Sequence, residues 1–215
     1  MVMTTKPGYK SKRRNTGIRT RKNVILMSAE GKNKTETQYF TDMARELNLN
    51  IRFSGGNYTD PKNMVVTLQK KYKELGLEAE QGDKAFCLVD SDVDPNKNEQ
   101  LAKADFLSQK GGTVLIVSSP CFEVWCLCHF GCNSTHFNNS AAVVEELSKK
   151  LPEYSKSGEG LYKKLSPNTK NAINNAKILE RICRDAGYHY HTVEFSPSSE
   201  IYKVIESILP EDRYN

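Results

Sequence analysis

The chain has 215 residues, a formal net charge of +5, and hydrophobic and charged contents of 38% and 27%. This composition is typical of a soluble globular protein, and no apolar run approaches the length of a membrane span. The first twenty residues are polar and basic and resemble no signal peptide, so we expect a cytoplasmic protein. We divide the chain into a basic N-terminal arm at residues 1–22, an α/β core at 23–118 and a C-terminal part at 119–215 packed on that core.

Basic residues are concentrated in the arm. The stretch 6–22 is dense in Lys and Arg, including Arg13 and Arg14, and contains no acid. Such an arm can neutralise the phosphates of a nucleic acid, which would make binding depend on salt. Basic arms are also often solvated tails, so both interpretations stay open here.

Apolar runs and helical patterns alternate in the core. This alternation predicts a mostly parallel, Rossmann-like α/β sheet with helices on both faces, followed by a mainly helical C-terminal extension. A final strand at 189–195 and a last helix that begins with a capping Ser at 196 complete the prediction. The predicted strands of the core are 24–27, 51–53, 85–89 and 113–118, and the predicted helices are 35–49, 61–75, 98–109, 140–151, 167–186 and 196–209.

Three aspartates follow the most apolar strand, at alternate positions: Asp90, Asp92 and Asp94. The carboxyl ends of parallel strands are where ligands bind in open α/β sheets. If the backbone stays extended, residues two apart point to the same side, so the three carboxylates would converge and attract Mg²⁺ or Mn²⁺. The same residues also suit an Asp-rich loop that caps the next helix, and the pattern alone does not separate these interpretations.

Two further acids occupy informative positions. Glu30 follows the first strand, and acids far apart in sequence are therefore expected to meet at one edge of the sheet. Glu123 interrupts the apolar segment 120–130. It either faces solvent in the first turn of a helix, where an acid favours the helix dipole, or joins the acidic edge. Composition alone favours solvent.

Cysteine and histidine are frequent near residue 130, which raises the question of a zinc site. Cys126, Cys128, Cys132 and His136 lack the paired CxxC spacing that structural zinc sites use. Cysteine here occupies places that leucine would also fill, and the chain is expected to be cytosolic. We therefore favour a structural core over a zinc centre.

The ordered motifs resemble the RloB family of abortive-infection proteins, whose fold is similar to the Toprim domain. The resemblance rests on Glu30-Gly31, the DxDxD run at residues 90–94, and the segment 119–130, and it covers residues 23–209. It implies that Glu30 acts in acid/base catalysis and that Asp90 and Asp92 bind metal. Asp94, Glu123 and Glu30 itself are further candidate ligands.

The resemblance implies a metal-dependent nuclease in antiphage defence, regulated by a partner ATPase of the AAA or ABC type. Its cofactor would be Mg²⁺ or Mn²⁺, and its substrate DNA or RNA, tRNA included. Lys32 and Lys34, with Arg13 and Arg14, would contact nucleic acid. A binding module on the same scaffold that performs no chemistry is the alternative, and a small nucleotide-processing enzyme is a third.

Overall fold

A five-stranded sheet forms the centre of the computed structural model, which describes residues 21–30, 35–56, 59–156 and 158–214. The strands are β1 (Val24–Ser28), β2 (Asn50–Phe53), β3 (Lys84–Asp90), β4 (Val114–Ser119) and β5 (Ser198–Ser199). Their order in the sheet is β2-β1-β3-β4-β5. The first four are parallel, and β5 runs antiparallel to β4. The predicted mostly parallel sheet is thus confirmed.

Helices connect and follow the strands. They are α1 (Thr35–Leu47), α2 (Pro61–Glu74), α3 (Lys97–Lys110), α4 (Glu123–Cys128), α5 (Ser140–Lys150), α6 (Leu161–Leu165), α7 (Thr169–Asp185) and α8 (Ile201–Ile208). Local signals explain several boundaries. For example, α2 begins with Pro61, and the Asp60 side chain accepts a hydrogen bond from the Lys62 backbone N–H at 3.1 Å. Pro lacks the N–H that the first turn of a helix leaves unpaired, so it suits this position.

The sheet is covered on both faces because its strands are apolar on both sides. Leu26 and Cys87 point to a cluster completed by α2 and α3. The neighbouring Met27 and Phe86 point to a second cluster, which includes residues of α1 and of the helices after β4. This alternation confirms the prediction of helices on both faces, and it identifies the fold as Rossmann-like.

The predicted final strand at 189–195 is wrong. These residues form turns, and His191 takes a left-handed backbone conformation with φ of 56°. The apolar alternation of residues 189–195 reflects the burial of Val193 and Phe195 within a loop. The short strand β5 comes later and pairs Ser198 and Ser199 with β4.

The start of the last helix also differs from the prediction. Because Ser198 and Ser199 belong to the sheet, α8 begins only at Ile201 and has no side-chain cap. The predicted serine cap is therefore wrong. The last helix itself is confirmed, and its Val204 and Ile205 are fully buried.

The cysteine-rich segment belongs mainly to the interior. Cys126 and Cys128 lie on α4, are almost inaccessible, and pack in the same cluster as Trp125. This confirms the prediction that they are core residues. Cys132, by contrast, is exposed. Among the described residues, no helix combines the length and apolarity that a bilayer crossing requires.

Candidate functional site

Acidic side chains from distant parts of the chain meet at the carboxyl edge of the sheet. Asp90 is the last residue of β3, Glu30 lies two residues after β1, and Glu123 opens α4 just beyond β4. Since β1, β3 and β4 are parallel neighbours, their carboxyl ends share one edge. The sheet topology thus brings these three predicted residues into one region.

Asp90 is the electrostatic centre of this region. Burial raises its pKa well above the usual value, and the negative charges of Glu36, Glu30, Glu123 and Asp92 raise it further. Both effects disfavour the ionised form of Asp90, as expected when like charges surround a buried carboxyl group. We call these five side chains the acidic cluster. The cluster calls for a compensating positive charge.

Glu36 is a member that the sequence analysis missed. It lies in the first turn of α1 and is only 5% exposed. An acid at this point of a helix is usually explained by the helix dipole alone. Its position six residues after Glu30, at the start of α1, is the one signal in the sequence that both belong to the same site.

Lys97, the first residue of α3, supplies a positive charge to the cluster. Its Nζ donates to Asp92 Oδ2 at 2.6 Å, to the Asp90 backbone carbonyl at 2.8 Å and to Glu30 Oε1 at 3.4 Å. Burial by itself would lower the pKa of Lys97, but the hydrogen bond to Asp92 and the charge of Glu30 outweigh it and raise the pKa. Lys97 is therefore held as an ammonium cation.

Glu123 faces the interior. Its side chain is 4% exposed, so the solvent-facing orientation that composition favoured is wrong. Glu123 Oε1 accepts a hydrogen bond from the Tyr154 hydroxyl at 2.5 Å and another from Thr35 Oγ1 at 3.3 Å. Lys156 Nζ lies 3.9 Å from the same oxygen. These contacts fix one carboxylate oxygen of Glu123.

The aspartates after β3 do not form an extended row. Asp92 and Val93 are both left-handed, with φ of 52° and 54°. The prediction that Asp90, Asp92 and Asp94 line one side of an extended chain is therefore wrong. Asp92 turns outward, is 48% exposed and remains next to Lys97. Asp94 accepts hydrogen bonds from the backbone and side chain of Asn96 instead.

The turn that follows β4 holds the loop that carries Asp92. Ser91 Oγ and Ser119 Oγ are 2.7 Å apart, and both residues are buried. The Asp92 N–H donates to the Pro120 carbonyl at 2.9 Å, and the Ser119–Pro120 peptide is cis. The loop after β3 is thus tied to the turn after β4, which holds Asp92 beside the edge of the sheet.

The donor set fits a hard divalent cation by its chemistry. Mg²⁺ and Mn²⁺ prefer oxygen ligands, and the four side chains that raise the pKa of Asp90 are all carboxylates. As they stand, the described residues contain no group of three His, Cys, Asp or Glu side chains arranged to hold a metal ion. Lys97 Nζ lies within 4 Å of both Glu30 and Asp92.

Four residues predicted to contact nucleic acid lie outside the described part of the chain. They are Arg13, Arg14, Lys32 and Lys34. Their role stays a prediction from sequence. Of the described cations, Lys97 and Lys156 lie nearest to carboxylates of the acidic cluster.

Comparison with known families gives a match that spans most of the chain. The family model described as RloB-like protein matches residues 25–208. The matched region runs from β1 to the end of α8 and includes every residue of the acidic cluster. No curated protein and no solved structure matches this chain.

Proposed function

This chain belongs to the RloB-like family, and from that membership and its acidic cluster we propose that it is a metal-dependent nuclease. The observation that carries the proposal is the surrounding of Asp90, where four further carboxylates raise its pKa at the carboxyl edge of a parallel sheet. A concentration of negative charge at a ligand-binding edge is unfavourable for folding by itself. It is useful when the site must attract a cation.

Asp90, Glu30, Glu36 and Glu123 would hold the ion, with Asp92 as a more exposed partner. A bound Mg²⁺ or Mn²⁺ would supply neutralisation of the charge that develops on a phosphodiester and activation of a water molecule. Glu30 would transfer protons during hydrolysis, the role that the resemblance to the Toprim domain implies for it. Tyr154 and Thr35 would orient Glu123 without taking part in the chemistry.

Nucleic acid is the substrate class that the basic arm supports. Its phosphates would pair with Arg13 and Arg14 and with Lys32 and Lys34, so affinity would fall steeply with salt. The resemblance to abortive-infection proteins adds the rest of the proposal. The nuclease would act in antiphage defence in the cytoplasm, under control of a partner ATPase.

Cleavage of a mixed panel of DNA, tRNA and total RNA tests the proposal. The panel is incubated with Mg²⁺ or Mn²⁺, and the assay is repeated with the neighbouring ATPase if one is encoded. We expect metal-dependent cleavage that Glu30→Gln, Glu36→Gln and Asp90→Asn each reduce at least a hundredfold, since these isosteric changes remove charge and not volume. Glu99→Gln is the matched control, because Glu99 is exposed on α3 and pairs with Lys103.

Two results would contradict the nuclease. One is cleavage that is unchanged in Asp90→Asn, which would show that the acidic cluster is not its active site. The other is the absence of cleavage under every condition together with no binding of either ion by calorimetry. That second result would favour a module that binds nucleic acid or protein without chemistry.

A further inference from the structure

The side chain of Lys97 occupies the space between carboxylates that a metal ion would need. Its Nζ lies 2.6 Å from Asp92 Oδ2 and 3.4 Å from Glu30 Oε1, and the side chain is only 12% exposed. The contact to Asp92 is as short as a charge-assisted hydrogen bond, and the contact to Glu30 is a longer ion pair. One cation of the protein itself therefore already bridges two members of the acidic cluster.

A divalent ion at the cluster would require the same oxygens. Glu30 and Asp92 cannot both coordinate a small ion while an ammonium group lies between them, because two cations at one pair of carboxylates repel each other. We propose that Lys97 and a divalent cation compete for Glu30 and Asp92, so that Lys97 must leave these carboxylates when the ion binds. Lys97 is then a built-in restraint on metal loading. This inference rests on the proposed metal-dependent function.

The local structure lets the side chain move while its backbone stays in place. The Lys97 backbone N–H donates to the Asp94 carbonyl at 2.8 Å, and the residue opens α3. The side chain has a flexible four-carbon stem with a strongly hydrated head group, so it can exchange its carboxylate contacts for water. Asp92 is 48% exposed, so the contact between Lys97 and Asp92 can break toward solvent.

Lys156 provides a matched control. It carries the same charge and also lies beside the cluster, with its Nζ 3.9 Å from Glu123 Oε1. Its side chain is 62% exposed and bridges no pair of carboxylates of the cluster. A general effect of removing positive charge would appear in Lys156→Met and Lys97→Met alike, whereas competition for specific oxygens would appear only in Lys97→Met.

Calorimetric titration with MnCl₂ and MgCl₂ measures the competition. We expect Lys97→Met to bind either ion at least about tenfold more tightly than the wild type, which is the order expected from the loss of competing charged hydrogen bonds. Lys156→Met should change the affinity less than about threefold. Equal effects in the two variants, or weaker binding in Lys97→Met, would overturn the inference.

Amine labelling of the unmodified protein gives an independent readout. Lys97 should react slowly with acetic anhydride while its Nζ is held, and its labelling, followed by mass spectrometry, should rise several-fold with saturating Mg²⁺. Lys156 labelling should stay unchanged. Labelling of Lys97 that is indifferent to a bound ion would overturn the inference even if Lys97→Met fails to fold.

The two proposals can fail separately. If the wild type binds the ion and cleaves nucleic acid, but Lys97→Met binds the ion no more tightly, the competition is wrong and the nuclease stands. If neither the wild type nor Lys97→Met binds either ion, both proposals are wrong.

Discussion

Replacing Tyr154 with Phe removes one hydroxyl from the environment of a buried carboxylate. That hydroxyl donates to Glu123 Oε1 at 2.5 Å, and burial together with the Glu123 charge keeps the pKa of Tyr154 well above its usual value. The tyrosine is therefore a neutral donor to an acidic acceptor. A hydrogen bond to a charged group contributes about 1.5–3 kcal/mol to stability.

The change should lower the free energy of unfolding of Tyr154→Phe by about that amount. Thr35 Oγ1 still reaches Glu123 at 3.3 Å, so the lower half of the range, about 1.5–2 kcal/mol, is expected. For a domain of this size each kcal/mol shifts Tm by roughly 2–4 °C, so Tm should fall by about 3–8 °C. Both quantities follow from urea and thermal unfolding monitored by circular dichroism.

The control for this experiment is Tyr188→Phe. Tyr188 is 46% exposed, so loss of its hydroxyl should change stability by less than about 0.5 kcal/mol. If Tyr154→Phe is as stable as Tyr188→Phe, the Tyr154 hydroxyl does not hold Glu123, and the account of Glu123 as a fixed member of the acidic cluster is refuted.

Two further predictions concern the pH dependence of stability. Burial would lower the pKa of His191, but the 3.0 Å contact between His191 and Glu200 helps to raise this pKa. The protonated His191 therefore stabilises the fold. This stabilisation is complete below about pH 6.5 and is lost as pH rises through the raised pKa. His191→Asn should therefore flatten the stability profile between pH 6 and 9 in urea titrations, and an unchanged slope would contradict this assignment. Burial would raise the pKa of Asp83, but the Val24 N–H at 2.7 Å and other donors lower it; this stabilisation is present above the usual pKa and is lost as pH falls through the lowered one. Asp83→Asn should lower the free energy of unfolding by about 1.5–3 kcal/mol at pH 7. The exposed Asp212→Asn should not change it measurably. Equal stabilities of the two variants would show that the charge of Asp83 does not stabilise the fold.

The sheet was accessible to sequence reasoning because its signal is local. Each buried strand is a short apolar run, and the runs alternate with helical patterns, which dictates parallel pairing and covering helices. The same logic predicts that Glu30 and Asp90 lie at one edge of the sheet. It failed at residues 189–195, where the apolar alternation comes from Val193 and Phe195, which are buried although they form no strand.

The details of the acidic cluster depend on contacts that local patterns do not encode. The loop that carries Asp92 beside Lys97 is left-handed at both Asp92 and Val93, and a β-branched residue such as Val93 gives no signal of this conformation. Tyr154 meets Glu123 across 31 residues of chain. Glu36 has an ordinary alternative explanation at a helix start. These features required the tertiary structure.

The cost of the acidic cluster is the strongest reason to regard it as functional. Burial and four neighbouring carboxylates raise the pKa of Asp90. Such an arrangement destabilises the folded state at neutral pH. The chain offsets part of this cost with the ammonium of Lys97 and the hydroxyl of Tyr154. A sequence selected for stability alone would need neither the acids nor their partners. Real proteins break local rules of this kind where a ligand or a reaction requires it. In this fold the requirement lies at the edge where α/β sheets bind their ligands.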